Sequence, residues 1–213
     1  MPQLSILIAD DHAVVRAGLR TLLESRPGWQ VCAEAADGRD AVEKAVKHKP
    51  QIAILDIGMP LLNGVEATRQ IRKASPSTEI LILTMHESDD LVQQVVEAGA
   101  RGYILKDEAD RVLLHAVEAL SQHKPFFSSR VSEAAGTADP SDNAKFSRSR
   151  LTPREREILQ LLAEGKSNKE VATLLNISVN TAEAHRANIM LKLDFHSLAE
   201  LVMYAIRNNI IQT

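Results

Sequence analysis

The chain has 213 residues, of which 45% are hydrophobic and 25% charged; its formal net charge is −3 and its one cysteine is Cys32. This length suits two globular domains, and a single cysteine excludes an intramolecular disulfide and a cysteine-rich zinc site. Because the amino terminus lacks a signal-peptide pattern and no apolar stretch approaches the ~20 residues that span a bilayer, a soluble cytoplasmic protein is expected.

Short apolar runs alternate with helical patterns over residues 1–122. The runs are LSILIA, QVCAEA, IAILD, EILILT and GYIL, and each suits a buried parallel strand. Between them apolar residues recur at helical spacing, as at Val15, Leu19, Leu22 and Leu23. Five such alternations predict a doubly wound α/β domain with a parallel sheet.

The alternation stops near residue 123. Residues 123–149 are rich in Ser, Asp, Gly and Pro, which indicates a linker with a flexible later part. The stretch from Ser129 to Ala135 is also compatible with one more short helix.

Residues 150–213 have an all-helical pattern, and local signals mark the helix starts. Three capping boxes occur, namely Thr152-Pro-Arg-Glu155, Ser167-Asn-Lys-Glu170 and Ser197-Leu-Ala-Glu200. With Ser178 as a further N-cap, four helices are predicted to begin near residues 153, 168, 179 and 198. Only residues 175–177 separate the second helix from the third, and this tight connection predicts a helix-turn-helix.

Charged and hydroxyl side chains follow the predicted strands at their carboxyl ends, where function gathers in a parallel α/β sheet. The first strand ends in Asp10 and Asp11, the third in Asp56 and the fourth in Thr84, and the fifth leads into Lys106. With the strand order 2-1-3-4-5 the first and third strands are neighbours, so their carboxylates converge. Crowded carboxylates disfavour one another's ionisation, and a Mg²⁺ ion is expected among them.

The residue types suggest a role for each member of this group. Asp11, Asp56 and the backbone carbonyl of Gly58 are the expected Mg²⁺ ligands, and Asp10 is expected to act behind them or through water. A positive charge on Lys106 and a hydroxyl donor on Thr84 would receive a phosphoryl group. Asp56 is then a nucleophile that can become an aspartyl phosphate.

The motifs D-D, I-L-D-I-G-M-P, L-T-M-H and Y-I-L-K resemble those of the receiver domain of two-component response regulators, over residues 1–122. The resemblance implies a sensor histidine kinase as partner, Asp56 as the phosphoacceptor, Asp10 and Asp11 as the acidic pair, Thr84 and Tyr103 as switch residues, and Lys106 as the lysine that senses the phosphoryl group. It further implies that phosphorylation changes the surface of the fourth and fifth helices. Gly58 and His86 are expected to influence the dephosphorylation rate, in a direction left open.

The stretches LTPRE, NKEVA, ISVNT and AHRANIM resemble the LuxR-type helix-turn-helix, and its pairing with a receiver is that of the NarL/FixJ subfamily. The resemblance implies a regulator rather than an enzyme, which binds double-stranded promoter DNA through a recognition helix at about residues 179–193. Residues 150–213 hold eight Lys+Arg against seven Asp+Glu, so a homodimer is expected to compensate for modest affinity. RNA polymerase is a further possible partner.

Small and polar residues on the outer face of the predicted recognition helix permit close approach to the major groove. The expected DNA-contacting residues are Lys166, Lys169, Asn180, Thr181, Glu183, Ala184, Arg186, Ala187, Asn188 and Lys192. The lysines and Arg186 suit phosphate contacts. Glu183 either accepts a hydrogen bond from a cytosine amino group or stabilises the helix dipole as a first-turn acid. His185 is expected to pack or to contact phosphate rather than to bind metal.

Alternatives remain at two levels. Considered alone, Asp11 could be a helix N-cap, Thr84 a strand former, Lys106 a solvated charge and Tyr103 a packing residue. As a whole, the chain could be a phosphatase or phosphotransferase of the haloacid dehalogenase type, although Gly58 occupies the position of the second aspartate that those enzymes need. An RNA-binding output is disfavoured because no aromatic stacking platform occurs in residues 151–213. A module that binds only protein partners is the third alternative.

Overall fold

A computed structural model of the chain describes residues 4–85, 88–127 and 151–211. The chain forms two compact units, Met1–Ala138 and Asp139–Thr213. In the first unit the strands are β1 (Leu4–Ala9), β2 (Trp29–Ala35), β3 (Ile52–Asp56), β4 (Glu79–Thr84), β5 (Gly102–Leu105) and β6 (Phe126–Phe127). Its helices are α1 (Ala13–Glu24), α2 (Gly38–His48), α3 (Gly64–Ala74), α4 (Asp89–Ala98) and α5 (Ala109–Ser121), and one 3₁₀ turn, Lys106–Glu108, precedes α5.

All strand pairs of this sheet are parallel, and the strand order is β2-β1-β3-β4-β5-β6. The predicted doubly wound domain with the order 2-1-3-4-5 is confirmed. Because β1 lies beside β3, the chain reverses its direction of progress across the sheet at this point. The carboxyl ends of these two strands form the crevice in which such sheets bind ligands.

The sixth strand falls in the stretch for which the sequence predicted a linker. Phe126 and Phe127 pair with Gly102 and Tyr103 of β5, and Phe126 N donates to the carbonyl of Arg101 at 2.9 Å. The two rings pack against opposite layers of the core, which explains why so short an edge strand is held. The short helix predicted around residues 129–135 lies outside the described residues.

Strand residues alternate between two apolar layers, as the pleat of a sheet requires. Leu7 and Leu55 pack on one side with buried residues of α2, α3 and α4. Ile8 and Ile54 pack on the other side with buried residues of α1 and α5. Covering both faces leaves the strand ends as the open part of the sheet, where polar side chains collect.

The second unit contains α6 (Pro153–Ala163), α7 (Asn168–Leu175), α8 (Val179–Leu193) and α9 (Leu198–Arg207). Each begins where the sequence predicted, and the capping boxes at Thr152, Ser167 and Ser197 are all formed. Asn176, in the left-handed region at φ 52°, ends α7 and allows the tight connection to α8. Within the described residues, no helix has both the length and the apolar character that crossing a membrane would require.

Candidate functional site

Three charged side chains meet at the carboxyl ends of β1, β3 and β5. The pairing of Ala9 with Leu55 brings the next residues, Asp10 and Asp56, to the same edge, and the side chain of each is 1% exposed. The Lys106 Nζ lies 2.7 Å from Asp10 Oδ2 and 3.0 Å from Asp56 Oδ1. One lysine therefore bridges two buried carboxylates that would otherwise repel each other.

Burial and charge set the protonation of this group. Burial raises the pKa of Asp56, Lys106 opposes that rise, and the neighbouring Asp10 adds to it, so the net direction is upward. Burial alone would lower the pKa of Lys106, but its contacts with Asp10 and Asp56 outweigh burial and raise it. Lys106 therefore stays charged at neutral pH, and Asp56 holds its negative charge at a cost.

The Asp56 carboxylate has capacity for a further ligand. Both of its oxygens are buried; Oδ1 forms the ion pair with Lys106, whereas Oδ2 has no well-aligned hydrogen-bond donor among the described residues. Buried anionic oxygens without donors are costly unless a cation or another partner satisfies them. The donor chemistry of this edge, carboxylate oxygens around a crevice, fits Mg²⁺.

Asp11 and His12 lie at the outer rim of the same edge. The His12 Nδ1 lies 2.7 Å from Asp11 Oδ1 and 3.3 Å from Asp10 Oδ1. Candidate ligand atoms of Asp10, Asp11 and His12 all lie within 4.8 Å of one another. His12 was not predicted as part of the site, although its position directly after the acidic pair is a visible signal in the sequence. The Gly58 carbonyl stays a predicted ligand.

The backbone of Asp10 is anchored from α1. The Arg16 Nη1 donates to the Asp10 carbonyl oxygen at 2.7 Å, and its Nε donates to Glu34 at 3.3 Å. Arg20 Nε also donates to Glu34, at 2.6 Å. This chain of hydrogen bonds ties the end of β1 to β2 and thereby fixes the first acidic residue of the crevice.

Close backbone packing positions Asp56. The Gly64 N–H donates to the carbonyl oxygen of Ile57 at 2.9 Å, so the loop after β3 folds back against its own strand. A Cβ added at Gly64 would overlap the carbonyl oxygen of Asp56. Only glycine therefore allows this approach.

Both residues for which the sequence predicted switch roles are inside the unit. Thr84 ends β4, Tyr103 lies in β5 opposite Ile82, and both are 0% exposed. The Tyr103 ring belongs to the apolar layer on the side of α2, α3 and α4. Their switch roles stay predictions, and His86 lies outside the described residues.

A second candidate site is the outer face of α8. Ala182 and Ile189 turn inward, at 1% and 0% exposure, and α8 packs on α6 and α7. The exposed residues among those predicted to contact DNA are Lys169, Asn180, Thr181, Glu183, Ala184, Ala187 and Asn188, while Lys166, Arg186 and Lys192 are half-buried. His185 is half-buried as well.

Two features of α8 were not foreseen from the sequence. The Lys192 Nζ lies 2.7 and 2.8 Å from the two carboxylate oxygens of Glu155, so this lysine holds an ion pair within its own unit. Leu191 is 81% exposed on the outer face. Helical spacing from Ala184 and Ala187 was the signal that could have drawn attention to Leu191.

Comparisons with known proteins agree with this arrangement. A family model described as the response regulator receiver domain matches residues 6–118. A second, described as bacterial regulatory proteins of the luxR family, matches residues 149–205. The oxygen regulatory protein NreC of Staphylococcus haemolyticus is 41% identical to this chain over an alignment of 217 positions, which covers 98% of this chain and 99% of that protein.

Solved structures are similar too. A LuxR family two-component response regulator from Aurantimonas sp. SI85-9A1 superposes with a TM-score of 0.61 at 36% identity, over 63% of this chain and 96% of the other. RcsB from Salmonella enterica serovar Typhimurium, bound to promoter rprA in the presence of the phosphomimetic BeF₃⁻, gives a TM-score of 0.62 at 28% identity. That match covers 95% of this chain and 98% of RcsB.

Proposed function

Because this chain belongs to the two-component response regulators that join a receiver domain to a LuxR-type DNA-binding domain, we propose specific residues for its phosphorylation and its DNA binding. The protein is a phosphorylation-dependent transcription regulator. Asp56 is the residue that accepts the phosphoryl group, and the outer face of α8 is the surface that enters the major groove of promoter DNA.

The observation that carries the first part is the contact of Lys106 with both Asp10 and Asp56, at 2.7 and 3.0 Å. In phosphoryl transfer, an Asp56 oxygen forms a bond to phosphorus while the bond from phosphorus to the donor breaks. The reaction adds negative charge beside Asp56, and Lys106 is already within reach of it. In the unphosphorylated chain Lys106 contacts both Asp10 and Asp56, so its ammonium group can move to contact the phosphoryl oxygens without leaving the site.

A bound Mg²⁺ would supply further positive charge for the phosphoryl oxygens. We assign Asp11, Asp56 and the Gly58 carbonyl as its holders, with Asp10 acting behind them. His12 Nδ1, at 2.7 Å from Asp11, holds that carboxylate at the rim. The proposed ligand atoms are carboxylate and carbonyl oxygens rather than thiol sulfurs, and oxygen ligands favour Mg²⁺ over softer metals.

Signal transmission is assigned to Thr84 and Tyr103. The Thr84 hydroxyl would donate to a phosphoryl oxygen, and the Tyr103 side chain would respond within the layer that it shares with α4. The resulting change at α4 and α5 would favour the homodimer. Dimerisation places two copies of α8 on two half-sites of one duplex.

For the DNA contact, the six exposed residues Asn180, Thr181, Glu183, Ala184, Ala187 and Asn188 form a continuous polar and small surface on α8. Lys166, Lys169 and Arg186 are assigned to phosphates. Lys192 is assigned to phosphate only secondarily, since its Nζ is held by Glu155. A cytoplasmic location, a sensor histidine kinase as phosphodonor and contact with RNA polymerase complete the proposal.

A phosphatase or phosphotransferase activity has weaker support. Gly58 lies two residues after the nucleophile, where the haloacid dehalogenase mechanism needs an aspartate. The family matched over residues 6–118 is one of regulators, and the second match supplies a DNA-binding output.

The test is selection of duplexes from a randomised pool by the full chain, with and without a small-molecule phosphodonor and Mg²⁺. Wild type is expected to enrich a two-fold symmetric sequence more strongly with the phosphodonor, and Asp56→Asn is expected to lose that increase. Asp110→Asn, which neutralises an 80% exposed carboxylate, is the matched control and should respond like wild type. Equal enrichment under all conditions would refute the switch, and no enrichment would refute DNA binding.

A further inference from the structure

An apolar strip runs along the centre of the exposed face of α8. It consists of Ala184, Ala187 and Leu191, which recur at the helical spacing of three and four residues. At roughly 100° per residue, Leu191 points almost opposite to the buried Ile189. Leu191 is 81% exposed. Among the large apolar side chains in the described part of the second unit, the next most exposed are Met203 at 48% and Leu198 at 43%.

Exposure of this leucine has no explanation within its own unit. The α8 residues that pack on α6 and α7 are on the other side of the helix, and the residues beside the strip, Asn180 and Asn188, are polar. A leucine surrounded by polar side chains on a surface that binds DNA is poorly suited to phosphates. Base edges in the major groove offer one apolar group, the 5-methyl of thymine.

We propose that the strip of Ala184, Ala187 and Leu191 is a thymine-recognition surface, with Leu191 as its specificity-determining residue. Small alanines let the helix approach the groove floor, and the leucine side chain extends the apolar contact toward the carboxyl end of α8. Glu183 and the asparagines would read polar groups on either side. This inference rests on the proposed DNA binding and deepens it by naming the base.

The occupant is duplex DNA rather than a second copy of the chain, because the strip is continuous with exposed residues suited to base contacts, Asn180, Thr181 and Asn188. A protein partner would be expected to cover a broader apolar area than three side chains on one helix face. Lys169, exposed on α7, is available for phosphates.

The test uses the duplex most enriched from the randomised pool and versions in which single thymines are replaced by uracil. Uracil lacks only the 5-methyl group, so it removes the proposed contact without changing the hydrogen-bonding groups. Binding of the full chain, treated with phosphodonor and Mg²⁺, is measured by fluorescence anisotropy. Wild type is expected to lose about fourfold in affinity at one or more thymines per half-site, the effect of one methyl-sized apolar group.

Leu191→Ala is expected to bind the thymine and uracil duplexes equally well. Leu198→Ala, which truncates an exposed leucine of the same unit outside the strip, should keep the wild-type preference for thymine. The measurement on wild type does not depend on how any variant folds.

Three results of the DNA-binding measurements would overturn the inference while leaving the proposed function in place. They are a wild-type protein indifferent to every uracil replacement, an enriched sequence without thymines, and a Leu191→Ala protein that keeps the preference. A shift of the monomer–dimer equilibrium by Leu191→Ala without DNA would likewise overturn it, since a second copy would then cover the strip. Enrichment of no duplex at all would refute the proposed function itself, and this inference with it.

Discussion

Lys192, near the end of α8, and Glu155, in the first turn of α6, form an ion pair in which the lysine Nζ lies 2.7 and 2.8 Å from the two carboxylate oxygens. The same carboxylate accepts a hydrogen bond from the Thr152 N–H at 2.8 Å and so completes the helix cap. Glu155 therefore joins the start of the second unit to the end of α8.

Lys192→Met should weaken this junction. Burial raises the pKa of Glu155, but Lys192 and Thr152 outweigh burial and lower it, so the pair stabilises the fold above the ordinary glutamate range. Removing the lysine leaves the buried Glu155 carboxylate with fewer partners and should lower the free energy of unfolding by about 1 kcal/mol. This value is at the lower end of the range for a buried group that loses a partner, because the Lys192 side chain is 40% exposed. Faster hydrogen exchange across α6 is the expected readout.

The effect should shrink in acid, because the stability contributed by Glu155 is lost as the pH falls through its lowered pKa. Lys169→Met removes an exposed lysine of α7 and serves as the control, which should leave exchange in α6 unchanged. Identical exchange in Lys192→Met and wild type at neutral pH would contradict the assigned role of the pair.

Asp56→Asn should stabilise the receiver domain at neutral pH. Burial raises the pKa of Asp56, so the folded chain keeps a proton on this carboxyl at pH values at which the unfolded chain has released it. The resulting destabilisation grows as the pH rises from the unfolded to the folded pKa, and it is constant above the latter. The increase in the free energy of unfolding that Asp56→Asn gives over wild type should therefore become smaller as the pH is lowered.

Urea unfolding followed by the fluorescence of Trp29, the only tryptophan, measures this gain between about pH 5 and 8. Asp110→Asn, at an 80% exposed position, should behave like wild type throughout. A variant less stable than wild type at neutral pH would show that the ionised Asp56 stabilises the domain instead.

Gly64→Ala should destabilise the receiver domain, because the added Cβ would overlap the Asp56 carbonyl oxygen and push the loop after β3 away from its strand. Steric overpacking of this kind costs about 1–3 kcal/mol. Gly18→Ala makes the same substitution within α1, where nothing lies within 4 Å of the new Cβ. It should stabilise by up to about 1 kcal/mol, because alanine is the better helix former. Thermal unfolding of both variants compares the two effects, and equal shifts would contradict the assigned packing.

Mg²⁺ should raise the unfolding temperature of wild type, since the proposed ligands come together only in the folded crevice. At a concentration 100-fold above the dissociation constant, the stabilisation is about 2.7 kcal/mol. Asp11→Asn removes one proposed ligand and should lose most of the shift. Glu118→Gln neutralises an exposed carboxylate on α5 and should keep it. A full Mg²⁺ shift in Asp11→Asn would remove Asp11 from the ligand set.

Local signals account for what the sequence predicted well. The partners in a capping box lie three residues apart, as Thr152 and Glu155 do, so the helix starts could be located without knowledge of the fold. Uninterrupted apolar runs such as IAILD likewise predicted strands that are buried on both faces. The acidic residues at the strand ends could be predicted to lie together because the expected strand order makes β1 and β3 neighbours.

Contacts between distant residues account for what the sequence did not predict. Lys192 and Glu155 are 37 positions apart, and no local pattern pairs them. Phe126 and Phe127 become a strand only because the edge of β5 is available to them. The exposure of Leu191 reverses the usual tendency of leucine to be buried, so periodicity alone could not separate it from a core residue.

The capping boxes also bear on the kinetics of folding. In the second unit, three helices start from hydrogen bonds between residues three apart, and such contacts form without closing a long loop. In the first unit, the pairing of β1 with β3 at the centre of the sheet requires closing a loop that contains all of β2 and α2. Because local contacts speed folding and distant parallel pairing slows it, the second unit is expected to fold faster than the first.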